Sequence, residues 1–506
     1  MYFNFIRIDH LPRLAWCIEI EKNKKEVNVY HGQWVETLQD FFVEGAWDGP
    51  FQEGNFYKSL GFFGTGGKIK EGKIIISTPS HVHERLNLLK IGEKIYISPS
   101  LAFLLTHTNT QLDYNYIPYQ VDLLNMIKGM KYHNGSIPID GGNSVYIYHY
   151  RNIVIDSNLN IEVEYKKEPP EFENFETYKN FIINTLHQLH ENATSTYRGV
   201  KYSLISMIST GYDSPACTVL GMEIGLKNAL TFRTARGLGV NEGPEDSAKS
   251  ICDVLGINVK EFNRLSILDK DGYPEAEFVA SGDLGQDFEI AALGKDLEGK
   301  ILLVGYHGDT MWNVNKMNVT KDIQRGDAGG CCWVDFKFRT GYIFVPVPYI
   351  GCLSLPSINR LSKSKEMEPW RVWNRYDRPV ARRIVEDKGV PRKMFGQKKK
   401  AISILLNSEK TLYSQMTKES VKSFDLFYEL NKKRRNKYLQ SYYKLMYKIY
   451  YCIHVFNSYP NRVLSYYKIN IKLSNIISGK FSQNPGKPSF LVHWGISIIK
   501  NRYNIH

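Results

Sequence analysis

Ser209-Thr-Gly-Tyr-Asp-Ser214 gathers two serine hydroxyls, a glycine and a carboxylate into one turn, and Gly305-Tyr-His-Gly-Asp309 sets a second carboxylate close behind a glycine. Hydroxyls and backbone amides gathered where a strand feeds a helix suit a phosphate, because the amides point at it and the positive dipole end attracts it. Two carboxylates from two such turns suit a magnesium ion that fills its other positions with phosphate oxygens and water. Lys398-Lys-Lys400 sets three ammonium groups in a row further along the chain. The hexapeptide is not a Walker loop, which needs Gly-Lys-Ser/Thr after its glycines. The bland alternatives are a βα turn whose Ser and Asp cap a helix, and a solvated run of lysines.

Positioning these groups requires strands. Tyr202–Ile208 is apolar and β-rich, as expected of a strand buried on both faces. Pro215 suits a first helical position, and residues 216–223 can continue as helix. Asn228–Phe232 reads as a second strand, followed by a Gly-rich loop to Gly243 and a helix over 245–256 that ends in glycine. Lys300–Val304 reads as a third strand. Alternating βα units predict a doubly wound parallel sheet, with ligands at the carboxyl ends of its strands. Upstream, Phe175, Tyr178, Phe181, Ile182, Thr185, Leu186 and Leu189 recur at helical spacing, after a polar linker at Lys166-Lys-Glu-Pro-Pro170. Residues 1–165 are β-rich, with runs such as Lys73–Ser77 and Lys94–Ser98 between turn residues, which predicts a two-layer sheet domain.

Taken in order, these motifs resemble the asparagine synthetase and β-lactam synthetase family of the ATP pyrophosphatase (PP-loop) superfamily, over residues 175–401. The first resembles that family's Ser-Gly-Gly-x-Asp-Ser loop, with Thr210 in place of its first glycine. The resemblance implies that Ser209, Thr210, Gly211, Tyr212, Asp213 and Ser214 cradle the pyrophosphate of ATP and that Asp213 holds magnesium. Thr231, Phe232 and Arg233 match a strand that contacts adenine. Gly305 and Asp309 match Gly-Glu-Gly-x-Asp-Glu, which makes Asp309 the second metal ligand. Tyr306 takes the family's glutamate position, where β-lactam synthetases also carry tyrosine. His307 departs from the pattern and is either a spare polar residue or a substrate contact. Residues 376–384 and 389–401 resemble the family's closing helix-loop, whose active-site lysine would be Lys398, Lys399 or Lys400.

Residues 1–165 sit where asparagine synthetases carry an Ntn-hydrolase glutaminase, of αββα architecture, and resemble it weakly through Phe63-Gly-Thr65 and Ser98–Leu105. That glutaminase needs a cysteine directly after the initiator Met. Here the second residue is Tyr2 and the first cysteine is Cys17, so a scaffold without glutaminase activity is expected. The implied organisation is a degenerate Ntn-type domain (1–165), an ATP pyrophosphatase domain (172–401) and a basic, Tyr-rich helical extension (402–506). The implied activity needs ATP and magnesium. A small-molecule, sugar or amino-acid carboxylate is adenylated with release of pyrophosphate, and an amine or ammonia then displaces AMP. Two further readings are an ATP pyrophosphatase acting on tRNA and a non-catalytic nucleotide-binding descendant. No Cys-x-x-Cys supports the former, while Thr210, Tyr306 and Thr310 are departures that support the latter. Specificity would reside in the loops at 234–244 and 310–345, including Gly329-Gly-Cys-Cys332.

Hydrophobic content of 43% and charged content of 23% are those of a globular protein, and no apolar run reaches the roughly 18–20 residues of a membrane helix. The opening residues lack the basic-then-apolar plan of a signal peptide, and seven cysteines without Cys-x-x-Cys spacing give no disulfide framework. A cytoplasmic location is expected. The net charge of +13 is concentrated in residues 398–506, which hold 20 Lys/Arg against 4 Asp/Glu. In this region Tyr438, Tyr442, Leu445, Met446 and Ile449 recur at helical spacing beyond the cluster Lys432-Lys-Arg-Arg435. Such a stripe could pack on the body, stack bases beside phosphate-binding cations, or lie on an anionic membrane.

Overall fold

In the computed structural model, which describes residues 1–133, 135–236, 242–282, 287–316, 319–325, 329–331, 333–400, 405–464 and 478–505, Ser203–Met207 (β1) is the middle strand of a five-stranded parallel sheet. The others are Asn228–Phe232 (β2), Asn258–Phe262 (β3), Lys300–Val304 (β4) and Ile343–Pro346 (β5), in the spatial order β3-β2-β1-β4-β5. Both faces are covered. Ile205, Leu230, Leu302, Val304 and Phe344 enter one apolar core, while Leu204, Ile208, Ala229, Ile301, Leu303, Ile343 and Val345 enter the other. This explains why these strands read as near-continuous apolar runs instead of alternating ones.

Two antiparallel-rich sheets form most of the first 165 residues, one of seven strands and one of six. Ile18, Ile20, Val27, Leu86 and Ile95 of the first face Phe42, Ile74, Ile76, Ile153 and Ile155 of the second across a shared apolar layer. The chain is therefore a mixed α/β protein with a parallel five-stranded sheet and β-rich N-terminal sheets. Helix Phe175–Thr194 (α1) follows as the spacing predicted, with a capping box at Asn174 and Thr177. The segment read as a polar linker is extended but not fully solvated, since Lys166 is buried against Phe62 and burial pulls its ammonium down to about 7.

Two helix starts differ from expectation. Helix Asp213–Met222 (α2) begins two residues before Pro215, which is tolerated because first-turn amides have no partner within the helix. After β2, the helix (α3) spans only Lys249–Leu255, ending on Gly256 at φ +67°. The amides of Asp246 and Ser247 donate to the Arg233 carbonyl and that of Ala248 to Thr231 Oγ1, so the end of β2 claims them before a helix can form. Thr234–Arg236 pairs with Glu242–Glu245 as a small ribbon where a loop was expected. Of the loops expected to set specificity, residues 237–241, 317–318, 326–328 and Cys332 lie outside the described residues, as do 401–404, 465–477 and 506 of the basic region.

The chain beyond residue 404 is tied to the body. Helix Leu491–Ile499 buries Trp494 completely, and Gly495 packs so closely that a Cβ would lie 2.7 Å from the Ala280 amide nitrogen. Among the described residues, no helix is long and apolar enough to cross a membrane. Helix Val334–Thr340 carries two charged groups that link distant segments. Lys337 is buried between Glu84 (2.5 Å), in a bend ahead of strand Leu86–Ile91, and Glu44 (3.0 Å) of strand Phe41–Ala46. Asp335 accepts from Ser100 Oγ and from Tyr503 OH, both at 2.6 Å, and so joins three parts of the chain at one carboxyl.

Burial raises the Asp335 carboxyl to about 6, so its protonated form is favoured by folding and stability falls as pH rises from the usual carboxylate value through that point. Relative to Asp335→Asn, which cannot ionise, the wild type should lose about 3 kcal/mol over this interval. Urea unfolding of both proteins at the two ends of the interval measures the difference; parallel pH dependences would contradict it.

Candidate functional site

The turn after β1 is held by its own hydroxyls. The Ser209 amide donates to Ser214 Oγ at 3.0 Å, the two serine hydroxyls lie 3.0 Å apart, and the Gly211 amide donates to Ser209 Oγ at 3.3 Å. Thr210, the departure from the glycine pattern, has a specific use. Its hydroxyl donates to Asp246 Oδ1 at 2.5 Å and accepts from Lys400 Nζ at 2.9 Å, and its amide also donates to Asp246 at 3.2 Å. Lys400 completes the group through Asp246 at 3.5 Å and the Glu245 carbonyl. A glycine could anchor neither side chain through a hydroxyl.

Parallel pairing of β1 with β4, in the register Ser206 opposite Leu303, brings the turn after β4 beside the turn after β1. The approach is close enough to need glycine. A Cβ on Gly305 would lie 2.6 Å from the Ser214 nitrogen and 2.7 Å from the Asp213 carbonyl carbon, and one on Gly308 would lie 2.4 Å from Asp213 Cγ. Asp213 and Asp309 consequently line one cleft, together with Ser209, Gly211, Tyr212, Ser214, Gly305, Tyr306 and His307. Met207, Ile208, Leu230 and Phe232 form its apolar side, and Asp246, Tyr376, Arg378, Lys399 and Lys400 close it.

Charge in the cleft is distributed unequally. Arg378, itself buried, forms an ion pair with Asp213 Oδ2, and Lys399 Nζ lies 3.3 Å from Asp309 Oδ2. Burial pushes the Asp213 carboxyl up and the Asp309 charge adds to this, against the opposing pull of Arg378. Burial acts in the same sense on Asp309, but Arg378 and Lys399 hold it below its ordinary value. His307 is kept neutral, drawn down to about 3 by burial; it sits at φ +75° with its ring stacked on Tyr349 at 4.1 Å. It lines the cleft as well, so both roles expected of it remain consistent with where it stands.

Fit to a divalent cation rests on Asp213 Oδ1, a buried oxygen without a hydrogen-bond partner. No group of three or more His, Cys, Asp or Glu residues among the described residues could hold a metal by itself. The donors here are two carboxylates, which fits magnesium shared with phosphate oxygens and does not fit a structural metal enclosed by protein ligands.

Most of the residues singled out in the sequence line this cleft, while Thr210, Thr231, Arg233 and Lys398 lie outside its lining. The Arg233 side chain is exposed, its carbonyl serving the turn into α3, and Lys398 is exposed at the start of the lysine run. The lysines that face carboxylates are therefore Lys399 and Lys400. Arg378, Asp246 and Tyr376 were not foreseen as site residues. Tyr376 and Arg378 lie just ahead of helix Pro379–Glu386, and no local pattern marks them as partners of a turn some 165 residues away.

The close approach at Gly305 carries a prediction of its own. Gly305→Ala should destabilise the protein by about 1–3 kcal/mol, the usual cost of forcing a methyl group into a packed site. Thermal unfolding measures this, and an unchanged transition would show that the two turns can separate freely. Compared with models of known protein families and with curated proteins, the sequence matches none of them.

Proposed function

We propose that the protein is an ATP-dependent, amide-forming ligase of the asparagine synthetase type, which adenylates a carboxylate and transfers the acyl group to ammonia or an amine. The observation that carries this reading is the meeting of Asp213 and Asp309 in one cleft, beside a hydroxyl-rich strand-to-helix turn and two lysines. In this reading Met207, Leu230 and Phe232 form the wall for adenine, and the 209–214 turn receives the β- and γ-phosphates at the N-terminus of α2. Asp213 Oδ1 and the Asp309 carboxylate would hold magnesium. When bound, the ion would draw charge from the phosphate oxygens and align the triphosphate.

An oxygen of the substrate carboxylate forms a bond to the α-phosphorus while the bond to the β-phosphate oxygen breaks, and pyrophosphate leaves with the electron pair. Lys399, Lys400 and Arg378 are placed to offset the charge that builds on the leaving group. The amine nitrogen then bonds to the acyl carbon, AMP departs with the carbon–oxygen electron pair, and the amine proton passes to solvent. The stacked N-terminal sheets act as scaffold in this reading, as a degenerate Ntn-type domain. Cys17, the one cysteine of the first 165 residues, is fully buried and burial pushes its thiol up, so it is no nucleophile for glutamine. Nitrogen then comes from ammonia or an organic amine.

A second reading, nucleotide binding without turnover, is supported by the Arg378 ion pair that already occupies one oxygen of Asp213. Product analysis separates the two. With ATP, magnesium, ammonium and a panel of amino-acid and sugar carboxylates, the ligase should form AMP and pyrophosphate. Asp213→Asn and Asp309→Asn should each lower that rate at least about 100-fold, and Lys399→Ala or Lys400→Ala by about the same factor. ADP and phosphate as products, or variants with wild-type rates, would refute the ligase reading. Nucleotide binding with no pyrophosphate from any member of the panel would favour the second. Supplying glutamine in place of ammonium should give no turnover above background, and robust turnover would refute the scaffold role of the N-terminal sheets.

A further inference from the structure

The basic C-terminal region divides into a part that packs and a part that does not. Phe424 and Trp494 are buried, so helix Lys418–Asn431 (α4) and helix Leu491–Ile499 spend apolar side chains on the body. Helix Lys437–Leu464 (α5) rests Tyr442 and Tyr443 against Phe481 but turns an apolar stripe outward. Along it Tyr438, Tyr442, Leu445 and Ile449 are 88, 50, 57 and 38% exposed, at successive spacings of four, three and four residues. Cys452 continues this line, three residues on, and is exposed too. On α4, Leu426 and Leu430 are 63 and 70% exposed, again four residues apart. Large apolar side chains left outward at a helical repeat mark a surface that something else covers.

Charge selects what covers it. Residues 430–506 contain 14 Lys/Arg and no Asp or Glu, and on α4 the Asp425 and Glu429 carboxylates are paired with Lys487 and Lys432. Lys437, Lys444 and Lys448 are exposed alongside the stripe, and Lys432 and Lys433 lie at the corner between the two helices. We propose that the outward face of α4 and α5 docks on an anionic lipid bilayer, with the stripe in the headgroup layer and the lysines against acidic headgroups. Phenol rings favour the membrane interface, and lysine stems can lie along apolar surface while the ammonium reaches phosphate. The aliphatic members, Leu426, Leu430, Leu445 and Ile449, gain from burial in lipid but offer no ring for base stacking, which disfavours RNA. A second copy of this chain would bring like charge against like charge. The contact is peripheral, since no helix among the described residues could span the bilayer.

Sedimentation of the full chain with phosphatidylcholine vesicles, with and without phosphatidylglycerol, tests this. Binding should require phosphatidylglycerol and weaken with added salt. Leu445→Asp/Ile449→Asp should weaken it at least about 10-fold and Lys444→Glu/Lys448→Glu by a similar factor, because each pair removes one of the two contributions. All four positions are exposed, so thermal unfolding of both variants should match the wild type. Equal binding to neutral vesicles, or binding indifferent to both variants, would overturn the proposal. So would salt-sensitive RNA binding without vesicle binding, or self-association abolished by Leu445→Asp/Ile449→Asp.

Discussion

Two backbone turns are pressed together at Gly305, and the geometry of the cleft follows from that contact. Parallel pairing of β1 and β4 fixes the register of the strands, but register alone would leave the following turns side by side with side chains between them. Glycine at 305 and at 308 removes those side chains, so that the Asp213 backbone and carboxylate lie directly against the turn that carries Asp309. A doubly wound sheet offers a crevice at the carboxyl ends of its strands whatever its sequence. The two glycines are what narrow this one until both carboxylates face the same space. Gly396 repeats the device from a third side: at φ +64° it donates to the Thr210 carbonyl at 2.8 Å, and a Cβ there would strike the Tyr212 ring.

The same closeness sets the electrostatics. Two carboxylates brought together and half-withdrawn from water repel, and the chain answers with cations from the 376–400 segment: Arg378 at Asp213, Lys399 at Asp309 and Lys400 at Asp246. The compensation is uneven, leaving Asp213 raised and Asp309 lowered, with one Asp213 oxygen unpartnered. A site that balanced every charge would have no affinity left for an ion or a phosphate. In the proposed reading, the cations lie near enough to meet an incoming phosphate and Asp213 Oδ1 is left to accept a cation. Thr210 belongs to the same arrangement, since its hydroxyl ties Lys400 and Asp246 to the turn.

How much of this was legible in the sequence depended on range. Asn228–Phe232 and Lys300–Val304 coincide with their strands because apolar β-formers bounded by polar or glycine residues leave little alternative over five positions. The start of α3 was misjudged because the competing bonds come from Thr231 and Arg233 on the preceding strand, which a helical pattern in 245–256 does not register. Lys166 reads as linker because lysine is rarely buried, and only the fold, which places its ammonium over the Phe62 ring, shows otherwise. Arg378 was invisible for a different reason. An arginine before a proline carries no local signature, and its meaning comes entirely from a partner 165 positions earlier.

The C-terminal region shows where periodicity stops being informative. Two of its helices are apolar to different degrees: Leu491–Ile499 carries no charged residue and meets Ala276 and Val279, while α5 interleaves lysines with a stripe that meets solvent. Spacing does not give the direction of α5, which the anchoring of the corner before it sets. Arg435 is buried, donating to the Tyr114 carbonyl at 2.8 Å and to Ser489 Oγ at 2.6 Å, with its guanidinium 3.9 Å over Phe490. The Asn436 amide donates to Asn115 Oδ1 at 2.8 Å. A helix that was merely unattached would be free to fold its apolar face back onto the body. This one starts from an arginine fixed on both the N-terminal sheets' connecting segment and the helix that closes the chain, so its direction is set before its stripe begins. The outward face is therefore a consequence of the anchoring, and the absence of any acidic residue after Glu429 gives α5 a single sign of charge.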